Sequence, residues 1–252
     1  MNPFSALSRE LSWQLKQTLR YSPAVRSKSG TARPERLLAQ FTAEQTGRYN
    51  ALNRQFLLTE WPRLCNETEF RENLYVLDVL DQHLGNPSHN GPGLDIGCRN
   101  FSHLPALSAW SAGPWHGVEL DAHARSLNGF TRCAYGQWMA RQVKGAAYFP
   151  GSVLDVQGVY HTIVWILPFV LPGALEYWGL PSRYFEPERL LDKACDLLAP
   201  GGQLLIINQG EAEAEEQHRL LSASGLPAFA LGEITSGFSP FRMTRFGWLV
   251  KA

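Results

Sequence analysis

Gly93-Leu94-Asp95-Ile96-Gly97-Cys98-Arg99-Asn100 is a short apolar run that ends on an acid and a glycine, then breaks into a turn of small and polar residues. Further on, His116-Gly117-Val118-Glu119-Leu120-Asp121 repeats the pattern, an apolar strand closing on a carboxylate. In a βαβ unit two such strand ends lie side by side at the carboxyl edge of a parallel sheet. The backbone N–H groups of the first turn then meet an anionic group, and the second carboxylate accepts from a pair of ribose hydroxyls. The two stretches together predict a nucleotide-type cofactor site.

Two cofactor classes use this arrangement. A dinucleotide site needs G-x-G-x-x-G, with glycines for the tight turn, the pyrophosphate approach and helix packing. From Gly97 the chain reads Gly-Cys-Arg-Asn-Phe-Ser, and the second and third glycines are missing. Leu94-Asp95-Ile96-Gly97-Cys98 instead resembles the first motif (acidic-x-Gly-x-Gly) of the class I S-adenosylmethionine-dependent methyltransferases, and Glu119 stands where that family has its ribose-binding acid. Arg99 is a departure, since the family has its second glycine there. Leu198-Ala199-Pro200-Gly201-Gly202 also resembles a phrase of the family. Its physical content is a helix stop, a tight turn and entry into a buried strand.

The resemblance implies S-adenosylmethionine as cofactor and a set of residues around it. Asp95 faces the methionine end, and Gly97, Cys98 and Arg99 form the turn beneath it. Glu119 accepts from both ribose hydroxyls, while Leu120, Val153 and Leu154 sandwich the adenine. Ser152 falls where the family usually places an Asp that bonds the adenine amino group, and Trp165 closes the fourth strand beside the site. Each has a plainer alternative: a turn cap for Asp95, an exposed strand-end carboxylate for Glu119, core packing for the apolar residues. Methyl transfer is an in-line displacement, so the protein must bind the cofactor, exclude water and align a nucleophile about 3 Å from the methyl carbon. The expected activity is methylation of an unidentified small-molecule acceptor. The rival is a non-catalytic binding protein of the same fold, which Arg99 and Ser152 support.

The composition is that of a globular chain. The 252 residues suffice for one α/β domain with an extension, and 44% hydrophobic with 18% charged residues is ordinary. Formal net charge is zero, so no global field draws nucleic acid or an anionic surface. No export signal opens the chain, and no apolar run approaches the ~18 residues of a membrane span, so a cytoplasmic protein without a membrane partner is expected. The four cysteines form no C-x-x-C pair and read as free thiols; the seven histidines are scattered, and no metal is expected.

Periodicity supplies the rest. Residues 1–90 read as a helical cover. Phe4–Tyr21 has an apolar stripe of Leu7, Leu11, Leu15 and Leu19, Arg36–Glu60 is a helix ended by Pro62, and Glu67–Leu84 is a helix ended by Gly85. Asn73, Tyr75 and Asp78 are placed either at the mouth of the site or on plain helix surface. Between the first two helices lies a basic segment rich in breakers, Arg26–Pro34, read as a solvated loop, an anion-binding lid or an RNA contact. Residues 91–252 read as a Rossmann-like domain. Strands fall at Gly93–Ile96, Gly117–Leu120, Ala146–Phe149, Tyr160–Leu167, Gln203–Asn208, Ala228–Ile234 and Arg245–Lys251. Helices lie between them, including a long one over Ala122–Val143. The fold expected is α/β, a seven-stranded and mostly parallel sheet with an antiparallel last strand. Trp165-Ile166-Leu167-Pro168-Phe169 is similar to the Asn/Asp-Pro-Pro-Tyr/Phe motif of amino-nitrogen methylases, but Ile166 and Leu167 replace its first two residues. The aromatic segment from Pro172 to Phe185 and the strand end Asn208-Gln209-Gly210-Glu211 are the candidate acceptor walls. His161 is a minor candidate for a base.

Overall fold

The computed structural model describes residues 3–26, 31–87 and 91–252, with side chains from residue 6 onward. Its N-terminal part is helical: α1 (Pro3–Thr18), α2 (Pro34–Leu38), α3 (Ala43–Phe56), α4 (Trp61–Leu64) and α5 (Glu67–Leu84). The single helix expected over Arg36–Glu60 is interrupted. Thr42 and Gln45 exchange side-chain and backbone hydrogen bonds in a capping box that starts α3 afresh. Leu57 then ends α3 in the left-handed region at φ 53°. Pro62 lies in the first turn of α4, where its missing N–H costs nothing. α5 has the predicted bounds, opened by an Asn66–Glu69 capping box and closed by Gly85 at φ 63°. The basic segment Arg26–Pro34 lies partly outside the described residues.

Helices α6 (Leu104–Trp110), α7 (Arg132–Ala140), α8 (Pro172–Tyr177), α9 (Pro187–Asp196) and α10 (Gly210–Ser224) alternate with strands. The long helix expected from Ala122 shortens to α7. Gly129 turns the preceding segment at φ 83°, Arg125 and Thr131 bridge across it, and the Thr131 hydroxyl then caps α7. The strands are β1 (Gly93–Ile96), β2 (Trp115–Glu119), β3 (Ala147–Pro150), β4 (Tyr160–Ile166), β5 (Leu198–Gln209), β6 (Ala228–Glu233) and β7 (Arg245–Lys251). They form one seven-stranded sheet in the order β3-β2-β1-β4-β5-β7-β6. β1 to β5 pair in parallel, while β7 runs antiparallel to β5 and to β6.

Alternation along the central strands divides the core. Val164, Leu205 and Ile207 pack with Leu52, Leu74, Leu77 and Leu107 of α3, α5 and α6. Ile163, Leu204 and Ile206 face the other way, onto Leu191 and Ala194 of α9 and Leu220 of α10. Helices therefore cover both faces, as continuous apolar parallel strands require. Asn73 and Asp78 are buried structural residues: Asn73 bonds the Ser102 carbonyl and the Ala106 N–H, and Asp78 accepts from Arg48 and Ser236.

α1 sits apart from both layers, with its polar side inward. Trp13 is buried with Leu175 and Leu180, and its ring lies 5.0 Å from that of Tyr184. Arg9 pairs with Glu176, Glu10 with Arg183, and Lys16 with Asp121. The stripe of Leu7, Leu11, Leu15 and Leu19 faces solvent at 54–59% exposure. Periodicity found the stripe, but Trp13 takes the inner position.

Candidate functional site

β1 is the switch point of the sheet, with β2 and β3 on one side and β4 onward on the other. In open α/β sheets the crevice at the carboxyl ends of such strands is where ligands bind. Asp95 lies near the end of β1, in register with Gly117 of β2 and Val164 of β4. It is 1% exposed, and its Oδ2 has no hydrogen-bond partner among the described residues. Burial, and then the neighbouring Glu119, pushes its carboxyl well above the usual range.

Gly97 turns the chain out of β1 at φ 70°, and the space where a Cβ would stand is open. The N–H groups of Gly97 and Cys98 both donate to the Val118 carbonyl, at 2.9 and 3.2 Å, which ties the turn to β2. Arg99 follows at φ 54°, a left-handed conformation that favours glycine. Arg99 is exposed and lines the cavity. Its N–H donates to Glu119 Oε2 at 2.8 Å, and its carbonyl accepts from the Tyr148 hydroxyl at 2.8 Å.

Glu119 ends β2. Its Oε1 accepts from the Asp121 N–H at 2.7 Å, and burial raises its pKa against the opposing Arg132 charge. Arg132 Nη1 lies 3.5 Å from Glu119 Oε1 and 3.4 Å from Asp121 Oδ2, and its guanidinium stands 5.2 Å over the Trp178 ring. Asp121 and Arg132 line the same cavity, although sequence reasoning did not place them there. Asp121 stood in the quoted strand end, two residues past Glu119. Arg132 gave no signal, because α7 reaches β2 only through the fold.

These groups share a cavity of about 210 Å³. Of the residues expected around a cofactor, Asp95, Gly97, Arg99, Glu119, Leu120, Ser152, Val153, Leu154 and Trp165 all line it. Cys98, in the turn, is off the wall. It is buried, and a Cβ on Gly117 would stand 2.8 Å from its Sγ, so the thiol packs against β2 instead of the cavity. The Ser152 hydroxyl is partly engaged, accepting from the Leu154 N–H at 3.2 Å. Along the wall, carboxylates outnumber the arginines Arg99 and Arg132. His103, also on the wall, is brought down to about pKa 4 by burial and then by the Arg99 charge, so its ring is neutral.

The lining is also rich in aromatic residues: Trp165, Phe169, Trp178, Tyr184 and Phe241. Leu167, at φ 61°, redirects the chain after β4 so that Pro168 and Phe169 border the cavity. Of the expected Pro172–Phe185 wall, Ala174, Trp178, Leu180 and Tyr184 take part. Tyr177 is 88% exposed, while Glu176 and Arg183 hold α1. Gln209 also lines the cavity, with Glu213 accepting from its N–H at 3.0 Å. Asn208 is wholly buried and off the wall. His161 starts β4, with its N–H on the Pro92 carbonyl, away from the carboxyl edge. Among the described residues no cluster of His, Cys, Asp and Glu could hold a metal ion.

No protein-family model and no curated protein sequence matches the chain. Solved structures do. A SAM dependent methyltransferase from Aquifex aeolicus superposes with a TM-score of 0.52 at 15% identity, over 72% of this chain and 92% of that one. The N-methyltransferase NodS from Bradyrhizobium japonicum gives 0.49 at 12% identity, over 73% and 96%. The plantazolicin methyltransferase BpumL gives 0.46 at 15% identity, over 86% and 95%. The Aquifex likeness is one of fold, and together with the strand order it shows that this chain has the class I methyltransferase fold.

Proposed function

We propose that the chain binds S-adenosylmethionine in the cavity at the β1–β4 switch point and transfers its methyl group to a small-molecule acceptor. The observation that carries this reading is the buried, unpartnered Oδ2 of Asp95 beside the open turn at Gly97. A buried carboxylate oxygen without a donor is costly, and an ammonium group satisfies it. Each Glu119 oxygen accepts one backbone N–H and keeps lone-pair capacity for ribose hydroxyls. Leu120, Val153 and Leu154 offer an apolar slot for a purine, with the Ser152 hydroxyl at its edge. The acidic bias of the wall suits a cationic ligand.

When bound, the sulfonium supplies an electrophilic methyl group, so this chain's work is positioning. The aromatic lining of Trp165, Phe169, Trp178 and Tyr184 helps to exclude water and suits a planar or apolar acceptor. Arg99 is exposed, not buried in the cavity, which favours an enzyme over a silenced relative. The test is calorimetry of the full chain with S-adenosylmethionine, S-adenosylhomocysteine and NAD. Binding of the first two and not the third is expected; no binding of either sulfur compound would overturn the reading.

A further inference from the structure

α1 is an amphipathic helix mounted the wrong way round for a core element. Arg9, Glu10, Trp13 and Lys16 attach it to the body, and Leu7, Leu11, Leu15 and Leu19 stand outward, each more than half exposed. The chain that follows is basic. Its described residues between 20 and 36 include four arginines against the single acid Glu35. Arg20, Arg26, Arg33 and Arg36 are exposed, and none forms an ion pair among the described residues. Tyr21, at the junction, is 82% exposed.

We propose that α1 and the arginines after it dock this protein on an anionic lipid surface, with the leucines entering the headgroup–acyl boundary and the arginines meeting the headgroups. Stable peripheral attachment takes two signals, apolar insertion and local positive charge, and the two are adjacent in this chain. A second copy fits less well. The stripe presents four side chains, where a stable protein interface engages about 20–30 residues a side. RNA would answer the arginines but offers nothing to exposed leucines. Because the polar side of α1 is already used on the body, the helix meets a bilayer in place, without being released. Its Trp13 packs on Tyr184 of the cavity's aromatic wall, so one helix joins the lipid surface to the site.

The experiment is vesicle flotation of the full chain with phosphatidylcholine alone and with about 30% phosphatidylglycerol added. Flotation with the anionic vesicles, weakened at least about tenfold by roughly 0.5 M salt, is expected. Leu11→Glu/Leu15→Glu should abolish flotation, and Arg26→Glu/Arg33→Glu should weaken it at least about tenfold. All four residues are exposed, so unchanged melting temperatures are expected and would show that the variants fold. The proposal fails if wild type floats with neither vesicle. It also fails if the leucine variant floats like wild type, or if light scattering finds a dimer that this variant dissolves while vesicles are ignored. Salt-sensitive capture of a structured RNA without vesicle binding would assign the arginines to nucleic acid and equally overturn it.

Discussion

The backbone N–H of Arg99 donates to Oε2 of Glu119 at 2.8 Å, so the turn after β1 hangs on the carboxylate that ends β2. The same carboxylate holds the Asp121 N–H through its other oxygen. Glu119 is therefore both a candidate ribose ligand and the clasp between two loops of the cavity. Its substitution should register in binding and in fold together.

Glu119→Gln keeps the shape but presents an amide nitrogen to one of two N–H donors. Cofactor binding is expected to weaken by about 1–3 kcal/mol through loss of a charge-assisted acceptor. A lower unfolding midpoint in urea should accompany it, because one buried backbone donor loses its partner. Calorimetry showing undiminished affinity in a folded variant would remove Glu119 from the ribose site.

Arg99→Gly tests what the left-handed residue contributes. Glycine relieves the strain at φ 54° but adds freedom to the unfolded chain, and the two effects are each of order 1 kcal/mol and opposite in sign. Stability should therefore move by less than about 1 kcal/mol. Arg99 is exposed, so affinity should change by no more than roughly tenfold, about 1.4 kcal/mol. If wild type fails to bind and the glycine variant binds, arginine blocks the site.

Strand positions were legible because a doubly covered sheet needs apolar runs that local composition displays. Gly93–Ile96 and Arg245–Lys251 emerge with the bounds read from sequence. What sequence concealed depends on contacts across the fold. Thr42 and Leu57 cut a helix whose apolar spacing continues across both breaks. Arg132 comes to Glu119 from another helix. The leucine repeat in α1 shows that a face is apolar, and only the position of Trp13 shows that this face is outward. Cys98 belonged to the motif by position, yet alternation after Gly97 turns its thiol into the core.

The buried acids predict a pH dependence. Asp95 and Glu119 both have raised pKa values in the fold, chiefly through burial. Such groups contribute stability that is full below the ordinary carboxylate range and is lost as pH rises through their raised values. Binding of an ammonium-bearing cofactor runs the other way, since it needs the ionised form. Affinity should rise with pH through the raised values, by up to about tenfold per unit for one proton released. Titrations in buffers of different ionisation enthalpy would count that proton, and Asp95→Asn should abolish most of its release. An equal pH slope in wild type and Asp95→Asn would place the titrating group elsewhere.

Trp13 decides how firmly α1 is held. The ion pairs of Arg9, Glu10 and Lys16 are part-exposed, and solvent screens such pairs so that they contribute little. Trp13 is 4% exposed and packs on Leu175, Leu180 and Tyr184, so it should dominate. Trp13→Ala is expected to lower the local opening free energy of α1 by up to about 3–5 kcal/mol. The sheet core does not include Trp13, so the main unfolding transition should change little. Hydrogen exchange would show this as faster exchange confined to α1 and to its contact segment Leu175–Tyr184. Unchanged protection in α1 beside a large fall in global stability would mean that α1 is an integral part of the cooperative fold.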